Sequence, residues 1–495
     1  MVTQLGFLFW IGLLAVVLHA RAATNVEAWS VSFPQSSLVA LLPDRLGRIA
    51  AVTSTSDSNV VVLLATNGSN LVSAYLPITT NLPSPAQAAC ADAAGHIYIV
   101  GQAHPSLAYI STVKFQPGLT GVAWSNVTLI TNPTAPARLA IVREIVADNF
   151  GNAYIVGRFS QYVGDIDQFA LSVSAAGDRW FDEFNPAAEN DFDKAISILR
   201  GNDGSLFVAG HSDHFTPSGS SILARRFAPG GAILWASNYL ATATGPSYAF
   251  SETASAAALD SSFNLVISGG RAEGFERGYL TMKIDPWGDV LWRAILNHSN
   301  DLFAATGMAI DAHDNVIVTG SIGTAKYSAE GTLLWHSPEA GSSVCISASG
   351  SIVLSGSVRN TNVSDRLIIR TTALLANGSL AWSAEHPADP VNDHVFKSMF
   401  VDRSGAIYVG FNAGNSAATI LKYIEPGRLT VRLNNASQIV LSWPATPTNT
   451  VVTSTAVVND SSWTAITNTP VQSGDAWKVV LAASETQRYF RLEQR

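Results

Sequence analysis

The sequence is poor in charged residues, and those that it has are spread out. Asp, Glu, Lys and Arg make up 13% of the 495 residues, roughly half of the usual share. The net charge is −8, and Lys and Arg nowhere form a cluster. Because nucleic acids and anionic membranes bind basic patches or stripes, we expect neither of them as a partner.

Catalytic motifs are also missing. The sequence contains no HExxH, CxxC or EF-hand spacing, no GxSxG elbow and no Ser-x-x-Lys with matching partners. Metal-dependent hydrolysis and nucleophilic catalysis therefore have no support from motifs. The paired carboxylates of a glycoside hydrolase stay open, because a sequence does not show how far apart two carboxylates lie.

Long apolar runs are absent except near the N-terminus. Leu5 to Leu18 form an apolar run of 14 residues, which is shorter than the ~20 residues of a membrane-spanning helix. The small-residue cleavage signal His19-Ala20-Arg21-Ala22 follows it. We therefore expect residues 1–23 to be a signal peptide and the protein to be secreted, periplasmic or at the cell surface, without membrane insertion once this peptide is removed. An uncleaved anchor stays open, because the usual positive charge before the run is missing.

The chain repeats a 13-residue frame in which two apolar strands flank a tight turn. Its eight copies are residues 41–53, 89–101, 145–157, 198–210, 257–269, 308–320, 344–356 and 398–410. Six copies carry an aspartate before the turn: Asp44, Asp92, Asp148, Asp260, Asp311 and Asp402. We expect these carboxylates to cap their turns by accepting backbone N–H bonds, rather than to bind a metal. Six copies carry Gly in the turn, and in the other two we expect Asn264 and Asn315 to supply its left-handed conformation.

A second hairpin follows each frame, and its last strand carries a tryptophan in most copies. The set is Trp124, Trp180, Trp235, Trp292, Trp335 and Trp382, and we expect it to pack between neighbouring units. Trp29, in the strand at 27–34, matches this set, whereas the eighth unit stops after its third strand at 418–423. An N-terminal strand that completes the last unit closes a ring. The sequence therefore predicts an all-β fold, an eight-bladed β-propeller over residues 24–427.

The repeat carries a resemblance to a known family. Its first half is clearest at Asp148, Gly151, Asn152, Tyr154 and Gly157, and its second half at Lys283, Asp285, Gly288, Leu291 and Trp292. This pattern resembles the SBBP β-propeller repeat family of secreted bacterial proteins over residues 27–427. The resemblance implies a propeller but no chemistry, because that family shares none. It also keeps a seven-bladed ring open as the alternative, because the family is usually described as seven-bladed.

Residues 428–495 lack the repeat and are expected to form a separate module. The segments 440–444, 462–471 and 487–492 resemble a small fibronectin-like or immunoglobulin-like β-sandwich of secreted bacterial proteins. We expect its core to consist of Trp443, Trp463, Trp477 and Phe490. The resemblance implies sorting, surface attachment or a spacer.

The ring also predicts the state of the two cysteines. Cys90 and Cys345 lie in the first strands of units two and seven, across the expected channel and thus beyond the ~7 Å between Cα atoms that a disulfide spans. We expect two free, buried thiols.

The connections between strands two and three, and those between units, are predicted to be long and irregular, for example at 157–169, 210–222 and 238–253. Binding sites are often built from such loops. Our candidate ligand-binding residues on this side are His104, Asp165, Asp167, His211, Asp213 and His214. Other polar residues predicted there are Asp191, Asp193, His298, Asp301, His386, Asp393 and His394. For Asp191, Asp301 and Asp393, each after Asn and before a first strand, a structural role is favoured.

Two classes of function remain. The favoured one is an exported, non-enzymatic scaffold that binds a protein or carbohydrate and needs no cofactor. A bound calcium ion stays open, because side chains of this kind are also cation ligands. The alternative is a propeller enzyme, either a quinone-dependent dehydrogenase, suggested by Gly288 to Trp292, or a glycan-active hydrolase or lyase. The sequence leaves the ligand and the oligomeric state open.

Overall fold

A computed structural model shows a chain built from β-strands. It describes residues 9–11, 14–16, 27–44, 47–77, 85–102, 109–130, 139–160, 166–184, 192–215, 218–239, 250–273, 276–299, 304–347, 349–360, 366–387, 389, 391–414, 417–424, 430–435, 438–444, 450–455, 464–473, 476–482 and 489–494. The only helix within these ranges is a single 3-10 turn, Pro117–Leu119. The all-β prediction is confirmed.

Eight four-stranded antiparallel units, called sheets 1 to 8 here, follow one another along the chain. The strands of sheets 1 to 4 are Ser37–Pro43, Ile49–Ser54, Ser58–Leu64, Asn70–Pro77; Ala86–Ala91, Ile97–Gln102, Tyr109–Phe115, Val122–Leu129; Leu139–Ala147, Ala153–Ser160, Gln168–Ser174, Gly177–Phe184; and Phe192–Arg200, Leu206–Phe215, Ser218–Phe227, Ile233–Tyr239. Those of sheets 5 to 8 are Phe250–Leu259, Leu265–Glu273, Glu276–Ile284, Val290–Ser299; Ala305–Ile310, Val316–Gly320, Gly323–Tyr327, Leu333–Ser337; Ser343–Ile346, Ile352–Asn360, Arg366–Leu374, Leu380–Glu385; and His394–Val401, Ile407–Ala413, Ala417–Tyr423, Glu27–Pro34.

The fourth strand of sheet 8 is the N-terminal strand Glu27–Pro34. Glu27–Pro34 pairs antiparallel with Ala417–Tyr423, and Trp29 lies opposite Lys422. The first strand of each sheet contacts the first strand of the next, and the first strand of sheet 8 contacts that of sheet 1. Sheets 4 and 5 are also joined directly, because Gly219 and Ser220 pair in parallel with Phe250 and Ser251.

The turn between strands one and two is built as the sequence predicts. In sheet 3, the Asp148 carboxylate accepts hydrogen bonds from the backbone N–H groups of Phe150 and Asn152, both at 2.9 Å. Asp92, Asp260, Asp311 and Asp402 do the same in their own turns. At these turns the prediction that Asp has a capping role is confirmed.

Two details of the turns differ from the prediction. In the two turns without Gly, Phe263 (φ 62°) and Asp314 (φ 59°) adopt the left-handed conformation themselves, whereas the Asn264 and Asn315 side chains donate to the turn aspartates. The eighth copy of the frame is also shifted by one residue, to 399–411. The Tyr408 hydroxyl donates to Asp402 six residues earlier, and the tyrosines of sheets 2 and 3 bond their turn aspartates at the same spacing.

Tryptophans join several of the sheets to the next, as predicted. In sheet 5, Trp292 Nε1 donates to the Ala329 carbonyl at 2.9 Å in the last turn of sheet 6, and its ring covers Gly331. Lys283 Nζ donates to the same carbonyl at 3.0 Å and pairs with Asp260 at 2.9 Å. The indole contact recurs for Trp180, Trp235 and Trp335. A joint of this kind holds neighbouring sheets together, because the indole packs between them and donates to a backbone carbonyl of the next sheet.

The same joint links the two ends of the repeat array. Trp29 Nε1 donates to the Thr66 carbonyl of sheet 1 at 2.9 Å, Lys422 Nζ donates to it at 2.8 Å, and the indole covers Gly68. Trp382 in sheet 7 has no such turn to contact. Strands three and four of sheet 8 come from distant parts of the chain, so no tight turn joins them. Trp382 is buried beside Tyr423 instead.

Residues 430–494 contribute two further sheets. One consists of Thr430–Asn435, Gln438–Pro444, Ala476–Ala482 and Val471–Ser473, and the other of Thr464–Ala465, Thr450–Thr455 and Tyr489–Gln494. Trp443 is buried, Trp477 packs beside it, and Val452 of the second sheet belongs to the same core. Trp463 lies outside the described residues, as does the side chain of Phe490.

The remaining predictions concern the N-terminus and the cysteines. Within residues 1–23 the structure describes Phe9–Ile11 and Leu14–Val16, which pair antiparallel, and the signal peptide stays a prediction. Cys90 and Cys345 are free, as predicted, and each packs half-buried against a core cluster. Burial raises the pKa of both thiols, that of Cys345 to about 11.

Candidate functional site

The candidate site lies at the end of the sheets where strands two and three connect and where one sheet leads to the next; we call this end the long-loop face. The prediction of an irregular loop at 210–222 is wrong. Segment 210–222 is an extended hairpin, in which Leu206–Phe215 pairs with Ser218–Phe227 from Leu206 opposite Phe227 to Phe215 opposite Ser218. Sheet 6 has only Ser321 and Ile322 at the same place. The hairpin of sheet 4, together with the hairpin of sheet 5 beside it, therefore rises as a ridge above sheet 6.

Three of the predicted residues lie in this hairpin. Asp213 accepts a hydrogen bond from Lys194 Nζ at 2.6 Å and another from Ser220 Oγ at 2.7 Å. Ser251 Oγ of sheet 5 donates to Ser220 Oγ at 3.0 Å. Burial opposes ionisation of Asp213, but the bonds from Lys194 and Ser220 keep its pKa below the usual range. The result is an ion-pair network that ties sheet 4 to sheet 5.

His211 lies beside this network and is buried. Burial lowers the pKa of its imidazole to about 4, with Asp213 opposing that shift, so the ring is neutral at pH 7. Its Nε2 lies 4.0 Å from the Asp213 carboxylate, and the Ser220 hydroxyl donates to Asp213 rather than to His211. The three residues therefore do not form the serine–histidine–acid relay of a hydrolase.

The position of His211 has a structural counterpart in other sheets. His211, Ser357 and Asn412 each follow the last residue of the repeat frame. Ser357 Oγ accepts from the Phe396 backbone N–H of the next sheet at 2.8 Å. Asn412 Oδ1 accepts from Leu38 N–H of sheet 1 at 2.7 Å, and His211 faces Ala254 of sheet 5 through a backbone hydrogen bond. His211 therefore occupies a column in which two other polar residues join sheets, although Ser54 at this position of sheet 1 bonds Asn59 of its own sheet.

A second histidine group lies where sheet 7 meets sheet 8. The rings of His386 and His394 are 5.7 Å apart between centroids, and both pack on Phe411. His386 Nδ1 lies 3.0 Å from Glu27 Oε2 of the N-terminal strand. Burial and then the neighbouring His386 lower the pKa of His394. This group links the connection between sheets 7 and 8 to the N-terminal strand.

The other predicted residues are separated from these two groups or lie outside the described part. Asp393 Oδ1 accepts from the Leu367 backbone at 2.9 Å, so its expected structural role is confirmed. Asp167 and Asp193 are buried near the start of strands in sheets 3 and 4, and His298 ends the fourth strand of sheet 5. His104, Asp165, Asp191 and Asp301 fall outside the described residues, as does the His214 side chain.

Among the residues that the structure describes, no group of three or more His, Cys, Asp or Glu side chains is arranged to hold a metal ion. Carboxylates at the strand ends are instead engaged with cations or backbone N–H groups. Calcium binding at this face stays an open prediction.

Buried charges lie both between sheets and within one sheet, and the sequence analysis does not predict them. Arg225, 1% exposed, pairs with Asp182 of sheet 3 and lies 4.4 Å from the Phe184 ring centroid. Glu252 is buried in sheet 5 and pairs with Arg271 and Arg293. A comparison of the repeat copies could have revealed them. Each is a charged residue in an inner strand, at a position where most other copies carry apolar or small residues.

No family model matches the chain, and a search of the curated proteins finds no match either. Among solved structures, it is similar to Sqt1 from Chaetomium thermophilum, with a TM-score of 0.51 and 9% identity over 81% of this chain and 98% of that chain. It is also similar to a catalytically inactive virginiamycin B lyase from Staphylococcus aureus with quinupristin, with a TM-score of 0.40 and 12% identity over 74% and 99% of the two chains. A puromycin hydrolase mutant gives 0.41 and 14% over 76% and 58%. The likeness to Sqt1 shows an all-β, propeller-like fold. No described helix has the length and apolar character needed to cross a membrane.

Proposed function

We propose that this protein is an exported, non-enzymatic scaffold: a closed eight-bladed propeller of the SBBP type whose long-loop face binds a protein or carbohydrate. Residues 428–495 would form a β-sandwich module for sorting, surface attachment or spacing. Ring closure is supported by the joint of Trp29 and Lys422 to Thr66, which repeats that of Trp292 and Lys283 to Ala329. The bond from Leu38 N–H to Asn412 supports it at the other end of the sheets.

The single observation that carries the binding function is the ridge formed by the 206–227 hairpin of sheet 4. Its strands are ten residues each and those of the adjoining sheet 5 are nine, against five in sheet 6. At ~3.3 Å per residue the hairpins of sheets 4 and 5 extend some four or five residues, roughly 15 Å, beyond that of sheet 6. The ridge is rigid, because the Asp213 network and the pairing of Gly219 with Phe250 tie it to sheet 5. A rigid, polar wall beside a depression is a surface suited to recognition.

Binding without catalysis is favoured by how the polar groups of the ridge are used. The carboxylate of Asp213 is ion-paired and the Ser220 hydroxyl is committed to it. An acid or base held in this way is not poised to exchange a proton with a substrate.

The test is a binding screen with a trimmed ridge. Ser212 lies opposite Ser221, so residues 213–220 can be replaced by a two-residue Asn-Gly turn without changing the register of the rest of sheet 4. The wild-type protein is screened on glycan and extracellular-protein arrays, and each hit is then measured with the trimmed protein. A matched control inserts two residues beside Gly230, in a tight turn at the opposite end of the same sheet.

We expect the trimmed protein to lose binding at least tenfold and the control to bind as the wild type does. Equal binding by the trimmed protein, or turnover of an arrayed ligand by the wild-type protein, would overturn the proposal.

A further inference from the structure

A β-bulge recurs at one level of the first strands. In seven of the eight sheets the pairing between strands one and two skips one residue of strand one. The skipped residues are Val39, Gln87, Arg143, Ile196, Ser255, Thr306 and Lys397. A bulge turns the skipped side chain away from the ladder, and the first strand is the edge strand at which successive sheets meet. In the ring proposed above, the backbone at the bulges therefore surrounds the central axis. The side chains of Gln87 and Thr306 bond towards the next sheet, and Val39 and Ile196 pack in clusters between sheets, whereas two other members of the set are exposed.

Two members of this set carry positive charge. Arg143 and Lys397 are exposed, although the residues on either side of them are buried or half-buried. Within the described part of the chain, no ion pair joins either of them to a carboxylate. None of the seven bulge residues is acidic.

The acidic side chains of the first strands point away from this level. Glu144 accepts the Ile198 backbone N–H of sheet 4 at 2.7 Å, and Glu252 is enclosed by arginines. Asp193 is 1% exposed. From the bulges to the tight turns, the first strands carry mostly Ala, Val, Leu, Ile and Met. The bulge level therefore carries two cations and no acidic residue above an apolar wall, an arrangement that concentrates the field of the two charges.

The size of the ring suits a small ligand. Sheets packed face to face at ~10 Å place eight first strands about 13 Å from a common axis, and Arg and Lys side chains reach roughly half of that distance. Each charged head then ends roughly 6 Å from the axis, so one molecule that contacts both has to span several ångströms between its anionic groups, as citrate does.

We propose that Arg143 and Lys397 form a binding site for an oxyanion-bearing ligand, carboxylate or phosphate, in the central channel. This inference rests on the proposed ring and specifies the chemistry of a ligand that enters from the long-loop face. The planar guanidinium of Arg143 supplies paired N–H donors to an oxyanion, and Lys397 supplies a mobile point charge from another side. Gln87, Ser255 and Thr306 add neutral polar groups at the same level, although Gln87 is already engaged with the Val142 backbone.

The experiment is calorimetric titration of the full chain with citrate, inorganic phosphate and a galacturonate trisaccharide, with maltotriose as the uncharged probe. The variants are Arg143→Gln, Lys397→Gln and the double substitution. The matched control is Arg403→Gln, which removes an exposed cation from a tight turn at the opposite end of sheet 8. Melting temperatures of all variants show whether folding is intact.

We expect at least one anionic probe to bind, to bind less tightly as salt is added, and to lose tenfold or more in affinity with either channel variant but not with Arg403→Gln. Preference for citrate and galacturonate assigns a carboxylate ligand, and preference for phosphate assigns a phosphate ligand; either supports the proposal. Binding that survives the double substitution, or no binding of any anion by a folded wild-type protein, overturns it. An array ligand that still binds the double variant leaves the binding function standing and refutes the channel site alone.

Discussion

Replacement of Trp29 tests whether the N-terminal strand closes the ring. Trp29 and Trp292 are matched: both are half-buried, and each donates at 2.9 Å to a turn carbonyl that a lysine also bonds. Complete burial of a tryptophan contributes about 3–5 kcal/mol against alanine, and a single hydrogen bond about 1 kcal/mol. At half burial, and with the lysine still bonding the carbonyl, Trp29→Ala and Trp292→Ala should each cost about 2–3 kcal/mol.

The assay is urea unfolding followed by far-ultraviolet circular dichroism, since removal of a tryptophan disturbs fluorescence. In a closed ring the two variants should lose similar free energy, because each breaks one of a set of equivalent joints. Amide exchange should also show lower protection of Ala417–Tyr423 in Trp29→Ala, because this strand pairs with the N-terminal one. If Trp29→Ala unfolds within about 0.5 kcal/mol of the wild type while Trp292→Ala loses its full share, the chain ends do not hold the ring and the closure argument is refuted.

Three other substitutions test separate contacts. Lys283→Met should cost about 3–5 kcal/mol of unfolding free energy, because it leaves the buried Asp260 carboxylate without its cation, and Asp260→Asn in the same background should recover part of the loss; equal stability of the single and double variants would contradict this. The lowered pKa of His394 means that its stabilisation is present above the unfolded pKa of about 6.5 and is lost as the pH falls; His394→Phe should therefore flatten the decline in melting temperature from pH 7 to pH 5, and an unchanged slope would refute the assignment. Gly231→Ala places a Cβ against Trp180, whereas Gly177→Ala meets nothing within 4 Å; both have positive φ, so both should melt lower than wild type and Gly231→Ala markedly more so.

Much of the fold is readable from the sequence because the repeat encodes it in residues with narrow conformational or packing roles. Asp148 and Gly151 mark a turn that needs a carboxylate acceptor and a left-handed residue. Trp29 matches the other tryptophans because it makes the same joint, from sheet 8 to sheet 1. These signals depend on local chemistry, so eight degenerate copies suffice to show them.

The parts that could not be predicted depend on contacts between distant segments. Phe263 takes a conformation unusual for a bulky side chain, because the hydrogen bonds of the turn impose it. The hairpin at 210–222 was interpreted as a loop because its His, Ser and Asp residues lack apolar alternation. Its strands continue because sheet 5 pairs with Gly219 and supplies Ser251 to the polar network. No local pattern encodes a lateral partner.

The candidate site illustrates how a repeat can separate structural from functional polar residues. The sequence predicts His211 as a ligand-binding residue together with Asp213 and His214. It lies in the same frame column as Ser357 and Asn412, both of which bond the next sheet. A polar residue that bonds the next sheet from this column is explained by the ring. The bulge column differs, because Val39 and Ile196 pack in clusters between sheets whereas Arg143 and Lys397 at the same backbone position are exposed. The fold then fixes where these side chains lie but not which residue types occur there. The architecture does not require two cations in this column.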